Sequence, residues 1–321
     1  TLMRSSAASD VYKRQGEGGR QMDEKSLHEV NQYNDVIFPV GLYEVTRDSI
    51  VPKGRGHLDL HWHEELQFTV VSSGTMVMQV DGKLYDLKQG DAIFINQRLL
   101  HVSRDLSEGG RYFSIDLPSR LLGFFSGSRM EKSYVFPYTS DYLFQTVVFQ
   151  SGIEWQRGIV SHLKEIEKLL KEKRQGFEYR VAVILVTIWG EMLQYLKNDV
   201  RIPPKSYYRR QERMRAMLSF IHEHYAETIQ LADIAAHVGI SVGECCRCFK
   251  QFIRESPNQY ILHYRIMKAM DLLSDTDCTV SEVSFKCGFS DVSHFILYFK
   301  RHTGLTPGAY RAVSYTHLTL P

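Results

Sequence analysis

A single helical pattern, written twice within residues 231–310, constrains this chain more than any other feature. The first copy runs Leu231-Ala-Asp-Ile-Ala-Ala-His-Val-Gly-Ile-Ser241 and the second Val280-Ser-Glu-Val-Ser-Phe-Lys-Cys-Gly-Phe-Ser290. Asp233 answers to Glu282, Ile234 to Val283, Ala235 to Ser284, Gly239 to Gly288 and Ser241 to Ser290 at a constant offset. Beyond the serine one extra residue enters the second copy, and Phe249-Lys250 then answers to Phe299-Lys300, Pro257 to Pro307 and Tyr260 to Tyr310. Self-similarity of this kind means one structural unit used twice. The extra residue is expected inside the second unit's recognition segment.

Each copy reads as helix, tight turn, helix. Leu231, Ile234 and Val238, and likewise Val280, Val283 and Cys287, form one apolar stripe on a short helix. Gly239 and Gly288 stand where a helix end needs positive φ, which glycine reaches without a Cβ penalty. Ser241 and Ser290 follow as expected N-caps of a second helix, each offering a side-chain oxygen to free backbone N–H groups. This is the architecture of a DNA-reading module.

The rest of the chain has to be accommodated around that module. At 321 residues, two domains are the natural expectation. With 43% hydrophobic and 24% charged residues, the composition is that of a soluble globular protein. The most apolar stretch, 181–189, is far too short to span a membrane, and no signal peptide is evident. Five cysteines, an odd number without a disulfide-like framework, suit a reducing cytoplasm. Bulk charge does not announce nucleic acid: residues 207–321 hold 13 Lys plus Arg against 11 Asp plus Glu, and the whole chain is at +2. The case for DNA rests on the repeat and on where its positive charges fall.

Residues 34–118 carry strand signals. Val36 to Val45, Leu66 to Val71, Met76 to Val80, Lys83 to Leu87 and Ala92 to Ile95 are short and rich in β-branched and aromatic residues. Turns at Ser73-Gly74, Asp81-Gly82 and Gly90-Asp91 separate them. Asp81-Gly82 is a type I′ hairpin signal, because both central residues need positive φ. Many short antiparallel strands at this spacing imply a sandwich or small barrel. Within them, His61, His63 and Gln67 occupy alternate positions and share a face if extended, and His101 follows a hairpin later. Histidines in this pattern have metal-ligand spacing inside a small barrel. The cluster, with Gly74, Gly90 and the hairpin, resembles the cupin family. Metal-binding cupins have glutamate where this chain has Gln67, and an amide supplies no charge. Three readings stay open for His61, His63, Gln67 and His101: a polar small-molecule pocket, a divalent-metal site on the three histidines, or buried histidines that only satisfy hydrogen bonds. No nucleophile with its base is evident in the barrel, so no catalytic residue is expected.

Residues 119–198 are expected to be helical, with Ile159 to Lys173 amphipathic and Arg180 to Lys197 longer and greasier; two such helices outside a barrel also make a dimer surface. Asn198 to Ser206, with Pro203-Pro204, reads as a semi-rigid linker. Tyr208 to Tyr225 and Asn258 to Ser274 are the other expected helices, the latter connecting the two repeats. Ser5 to Gln15 and Ser314 to Pro321 show no periodicity shared with their neighbours and resemble translated adapter sequence. The expected organisation is a non-native tail at 1–19, a ligand-binding barrel at 20–118, a helical dimerisation segment at 119–198, a linker at 199–206, a double helix-turn-helix domain at 207–313 and a second tail at 314–321.

The C-terminal domain resembles the AraC/XylS family of transcriptional regulators, in the subgroup with an N-terminal cupin. The residues that carry the resemblance are Arg247-Cys-Phe-Lys250, Ser256-Pro-Asn-Gln-Tyr260, Arg265-Ile-Met-Lys-Ala269, Cys287-Gly-Phe-Ser-Asp291, His294-Phe295, Phe299-Lys-Arg301 and Thr306-Pro-Gly-Ala-Tyr-Arg311. It implies two helix-turn-helix units held about one DNA turn apart by the connecting helix and entering successive major grooves. In the first recognition helix Cys245, Cys248 and Phe249 fall on the buried face, leaving Gly243, Cys246, Arg247 and Lys250 outward, after the cap Ser241. In the second, Phe295 and Phe299 are inward, leaving Ser293, His294, Leu297 and Lys300 outward, with Ser290 as the cap and Arg301 beside them. Arg247 is the expected base reader, since a guanidinium grips guanine O6 and N7 together; an intradomain ion pair is its alternative role. Lys250, Lys300 and Arg301 suit phosphates. The cysteines are expected to be core and not a zinc site.

The fold expected is therefore multidomain: an N-terminal all-β cupin-like barrel with a helical dimerisation segment, and a C-terminal all-α domain with two helix-turn-helix units. The function expected is a cytoplasmic, sequence-specific DNA-binding transcription regulator and not an enzyme. Its barrel senses a small molecule, such as a sugar or related metabolite, with no cofactor required. The expected partners are double-stranded DNA, the effector, a second copy of the chain and RNA polymerase, with no membrane. Two other classes stay open: a metal-dependent cupin enzyme fused to a DNA-binding domain, and a ligand-independent DNA-binding dimer.

Overall fold

The computed structural model describes residues 29, 31, 37–47, 49–52, 59–140, 143–196 and 204–318. The expected tail at 1–19 and most of the expected linker lie outside them. Among the described residues nine strands come first, all paired antiparallel: β1 (Gly41–Val45), β2 (Ile50–Val51), β3 (Leu66–Ser73), β4 (Thr75–Val80), β5 (Lys83–Lys88), β6 (Ala92–Ile95), β7 (His101–Leu106), β8 (Arg111–Leu117) and β9 (Thr146–Phe149). They make a six-stranded sheet in the order β2-β1-β8-β3-β6-β9 and a three-stranded sheet in the order β5-β4-β7.

Period-two alternation decides what each face of the larger sheet meets. After the short helix α1 (Phe136–Thr139) come α2 (Glu154–Glu172) and α3 (Phe177–Leu196), and Leu66, Phe68 and Val70 of β3, Phe94 of β6, and Phe113, Ile115 and Leu117 of β8 form one core with α2 and α3. The opposite set faces the smaller sheet: Val71, Ile93, Ile95 and Tyr112 pack with Met76, Met78, Val80 and Leu87. The same alternation turns Gln67, Thr69, Ser114 and Asp116 inward, where buried polar side chains need partners. The Asp81-Gly82 hairpin forms as its sequence demands, with φ of 44° and 78°.

Two expectations need correction. The strand expected from Val36 shortens to Gly41–Val45, because residues 37 and 38 form a bend with Ile37 95% exposed. The stretch expected to be wholly helical, 119–198, contains β9, which pairs with β6 through Ala92↔Phe149 and Ile95↔Thr146 and extends the sheet past residue 118. Its apolar run Thr146-Val-Val-Phe149 is too short for periodicity to separate strand from buried helix.

The C-terminal part consists of α4 (Lys205–His224), α5 (Leu231–His237), α6 (Val242–Phe252), α7 (Pro257–Asp275), α8 (Val280–Lys286), α9 (Val292–Thr303) and α10 (Pro307–Leu318). The first unit, α5–α6, packs with α4 around Met214, Leu218, Ile234, Cys245, Phe249 and Phe252. The second, α8–α9, packs around Ile266, Leu273, Val283, Cys287, Phe295 and Phe299. α7 supplies residues to both cores. Three starts are closed by reciprocal caps: Gln230 with Asp233, Ser256 with Gln259, and Thr279 with Glu282.

Candidate effector cavity and nucleic-acid interface

His61 and His101 face each other across an isolated antiparallel bridge, and His63 joins them, with ring centroids 4.3, 5.0 and 5.9 Å apart. Each imidazole is oriented by its Nδ1, which lies 2.7 Å from the Asp59 carbonyl in His61, 3.2 Å from that of Glu65 in His63 and 2.8 Å from that of Leu99 in His101. Their ligand atoms all lie within 4.8 Å of one another. Carbonyls behind three imidazoles fix which nitrogen faces inward, as they do behind metal-binding histidines. The inward Nε2 atoms differ in what they meet: His63 has Gln67 Oε1 at 2.9 Å, His61 has Glu29 Oε2 at 3.2 Å, and the His101 Nε2 has no hydrogen-bond partner.

Behind the histidines lies a cavity lined by Tyr43, Val45, Met78, Val102, Ser103, Tyr112, Ser114 and Asp116, with Glu29, His61, Gln67 and His101 at its polar side. The structure thus brings His61, His63, Gln67 and His101 together. It also adds residues that the sequence reading missed. Asp116 accepts from Asn31 Nδ2 at 3.1 Å, and Tyr43 donates to Asn31 Oδ1 at 3.0 Å. Gln67 donates to Thr69 Oγ1 at 2.7 Å, and the Thr69 and Ser114 hydroxyls are 2.8 Å apart. The polar positions 114 and 116 alternate with apolar ones along β8, and that pattern was available in the sequence.

The cavity separates charge states. Burial pushes the Asp116 carboxyl up to about 7, against the neighbouring His63. Burial alone would lower His63, but Asp116, the bond to Gln67, Glu65 and Glu29 outweigh it and raise its pKa. Burial, with His61 and His63 nearby, holds His101 well below the ordinary histidine value, so it presents a neutral acceptor. Besides His101 Nε2, Ser103 Oγ and Asp116 Oδ1 are buried without a hydrogen-bond partner, and all three belong to residues lining this one cavity.

On the C-terminal part, Gly239 and Gly288 adopt φ of 66° and 78°, as their turns require. Ser241 caps α6 by accepting from Glu244 N at 3.2 Å. Ser290 does not cap α9; Asp291 does, accepting from His294 N at 2.8 Å. The extra residue of the second copy is thus absorbed in the turn before α9 and not inside the recognition helix. A carboxylate adjacent to the serine is as good a cap, and the longer turn brings it into register. Gly243, Arg247 and Lys250 on α6 are exposed and Cys246 half-buried; Ser293, His294, Leu297, Lys300 and Arg301 on α9 are exposed, as is Ser290. Arg247 donates to Glu244 Oε2 through Nη2 at 2.6 Å while remaining 71% exposed on its side chain. Cys245, Cys248 and Cys287 are buried free thiols, with burial pushing Cys245 up to about 11 and Cys287 to about 12. Among the described residues the metal-ligating group found is that of the three histidines, and no helix is long and apolar enough to cross a membrane.

Known proteins resemble both parts. Residues 234–312 match the helix-turn-helix domain family and residues 48–109 the cupin domain family. The uncharacterized HTH-type transcriptional regulator YdeC of Bacillus subtilis (strain 168) is 30% identical over 299 residues, covering 91% of this chain and 98% of that protein. The melibiose operon regulatory protein of Escherichia coli (strain K12) is 24% identical over 264 residues, covering 79% of this chain and 83% of that protein. Among solved structures, the DNA-binding domain of AdpA in complex with a target DNA is 29% identical, with a TM-score of 0.31, and covers 32% of this chain and 91% of that one. With a relative of that identity matched over nearly its whole length, an N-terminal cupin domain and a duplicated helix-turn-helix domain, the chain belongs to the AraC/XylS family of transcriptional regulators.

Proposed function

We propose that the chain is a cytoplasmic, DNA-binding transcription regulator whose barrel senses a compact polar molecule, such as a sugar, and whose α6 and α9 enter adjacent major grooves. The observation that carries the sensing half is the cavity with three buried polar atoms left without partners, His101 Nε2, Ser103 Oγ and Asp116 Oδ1. Unpaired buried polar groups are costly, so they point to a ligand that supplies the missing hydrogen bonds. A neutral imidazole and a carboxylate accept, and among the described residues no Lys or Arg lines the cavity. The set therefore suits a donor-rich, non-anionic molecule with several hydroxyls. The melibiose operon regulatory protein, a relative, is named for a sugar operon. Thermal-shift screening of the full chain against neutral sugars, polyols and their phosphorylated counterparts is the test. A bound ligand raises the melting temperature by mass action, and a preference for the anions would contradict the reading.

The second reading for the barrel is a divalent cation on His61, His63 and His101. It is favoured by the three carbonyl-oriented imidazoles and the unpartnered His101 Nε2. A bound cation would supply Lewis acidity or an anchor for ligand oxygens. Stoichiometric metal together with turnover would make the barrel an enzyme; metal without turnover would make the cation part of the sensor.

On DNA, the exposed outer faces of α6 and α9 support the assignment of Ser241, Gly243, Cys246, Arg247 and Lys250 to one groove, and of Ser290, Ser293, His294, Leu297, Lys300 and Arg301 to the next. The ion pair to Glu244 leaves Arg247 available, because an exposed pair at i,i+3 is weak and exchanges readily for a base. Arg247→Ala is expected to cost roughly 1 to 3 kcal/mol on the cognate site and to relax one base preference, whereas Lys300→Ala weakens all sequences evenly and flattens the salt slope. Equal losses on every sequence for Arg247→Ala would show that it grips phosphate.

A further inference from the structure

We propose that strand β7 is a shared wall between the barrel cavity and the first helix-turn-helix unit, so that what fills the cavity is felt by that unit directly. This rests on the reading of the barrel as a sensor. Along β7, His101, Val102 and Ser103 line the cavity, and Val102, with Leu60 and Leu100, also lies in one buried cluster with Met214, Met217, Leu218 and Ile221 of α4 and Phe252 of α6. Arg104 continues the outer face. Its Nη1 donates to Glu255 Oε1 at 2.7 Å, its Nη2 to the Ile253 carbonyl at 2.5 Å and its Nε to Gln79 Oε1 at 2.9 Å. Gln79 in turn donates to the Phe252 carbonyl at 3.1 Å. A displacement of β7 by as little as a rotamer change at His101 therefore meets a packed, hydrogen-bonded neighbour with no slack to absorb it.

The β4–β5 turn closes the same contact from its other end. Asp81 accepts from the Tyr207 hydroxyl at 2.5 Å and from Gln211, both on α4, and from Leu100 N at 3.1 Å. Gly82 lies against the backbone of Gln251 and Phe252, and its carbonyl accepts from Arg254 Nε at 2.5 Å. A side chain at position 82 would have to displace main chain, so glycine here serves the docking as well as the hairpin. Arg215 of α4 donates to the Arg98 carbonyl at 2.9 Å and stands 5.3 Å over the Trp62 ring, between His61 and His63 in sequence. Glu255 also holds His263 Nδ1 at 2.8 Å, so the contact reaches α7, which leads to the second unit. The outer face of α6 stays exposed throughout. The barrel thus sets the position of the first unit without covering its DNA-reading face.

Hydrogen–deuterium exchange on the full chain tests this without a ligand. His101→Ala and Ser103→Ala alter β7 from the cavity side, Arg104→Ala cuts its outer face, and Asp116→Asn alters the same cavity from β8. Amides of α4 and of the end of α6 are expected to exchange at least threefold faster in both β7 cavity variants and at least tenfold faster in Arg104→Ala. In Asp116→Asn they should stay within twofold of the parent, with α9 as the internal reference. Unchanged exchange in α4 and α6 for both cavity variants, or equal acceleration by Asp116→Asn, overturns the shared wall. Failure to find any small-molecule binder would sink the sensor reading alone, because the exchange comparison requires none.

Discussion

Gly239 and Gly288 occupy equivalent turns but not equivalent surroundings. A Cβ on Gly239 would meet open space, whereas one on Gly288 would come within 2.6 Å of the Tyr225 carbonyl oxygen. Gly239→Ala is therefore expected to cost only the left-handed backbone penalty of about 1 to 2 kcal/mol. Gly288→Ala should cost clearly more, because the end of α4 must shift as well; thermal unfolding of the two variants side by side checks the order. Asp81 makes a pH prediction. Burial pushes its carboxyl up to about 6, even though the Tyr207, Gln211 and Leu100 donors oppose that rise. A folded pKa above the unfolded one means a stabilising contribution complete below about 4 and lost as pH rises through about 6. The unfolding temperature should accordingly fall between about pH 4 and 7, and Asp81→Asn should flatten the lower part of that slope. Asp116, raised to about 7 by burial, adds a contribution of the same sign. A slope identical in parent and Asp81→Asn would show that Asp81 is not buried by the docked domain.

At the scale of elements, α3 presents Tyr179 and Val183, one turn apart, to solvent at 83% and 60% exposure, while Val181, Leu185, Ile188 and Met192 on its other side are buried against the barrel. The exposed row supports a second copy as its partner. Tyr179→Glu with Val183→Glu should shift the chain from dimer to monomer in sedimentation without changing its unfolding temperature; a monomeric parent would contradict the dimer. The elements legible in the sequence were those with a strong local signature: the two glycine turns, the Asp81-Gly82 hairpin and the stripe Ile159, Leu163, Ile166 on α2. The cap of α9 and strand β9 were not, because an adjacent Ser-Asp pair offers two caps and a four-residue apolar run has no readable period. In the cavity, the spacing of His61, His63, Gln67 and His101 was enough to bring them together. Tyr43 and Asp116 join them through pairings between strands distant in sequence, such as Leu42↔Ile115 and Gln67↔Asp116, and Asn31 through hydrogen bonds to both, contacts that no local pattern announces.

For the whole molecule, the parts form a sequence of physical contacts from the cavity to the two helix-turn-helix units. The β-sheet alternation that buries Phe68 and Phe113 toward the helices turns Gln67 and Asp116 into the cavity, and β7 carries that cavity's wall to α4 and α6. α7 then links the first core to the second. Any effector acts only through its different affinity for two arrangements of these parts. The outer faces of α6 and α9 are not alike: α6 exposes Arg247, whereas α9 exposes Ser293, His294 and Leu297, with Lys300 and Arg301 beside them. The most direct test of the account is a hydroxyl-radical footprint of the full chain on the DNA upstream of its own gene. The account predicts, for each protomer, two protected segments on one face of the duplex about 10 base pairs apart, with only the segment read by α6 losing protection in Arg247→Ala. A single protected segment per protomer, or protection unchanged by that substitution, would contradict it.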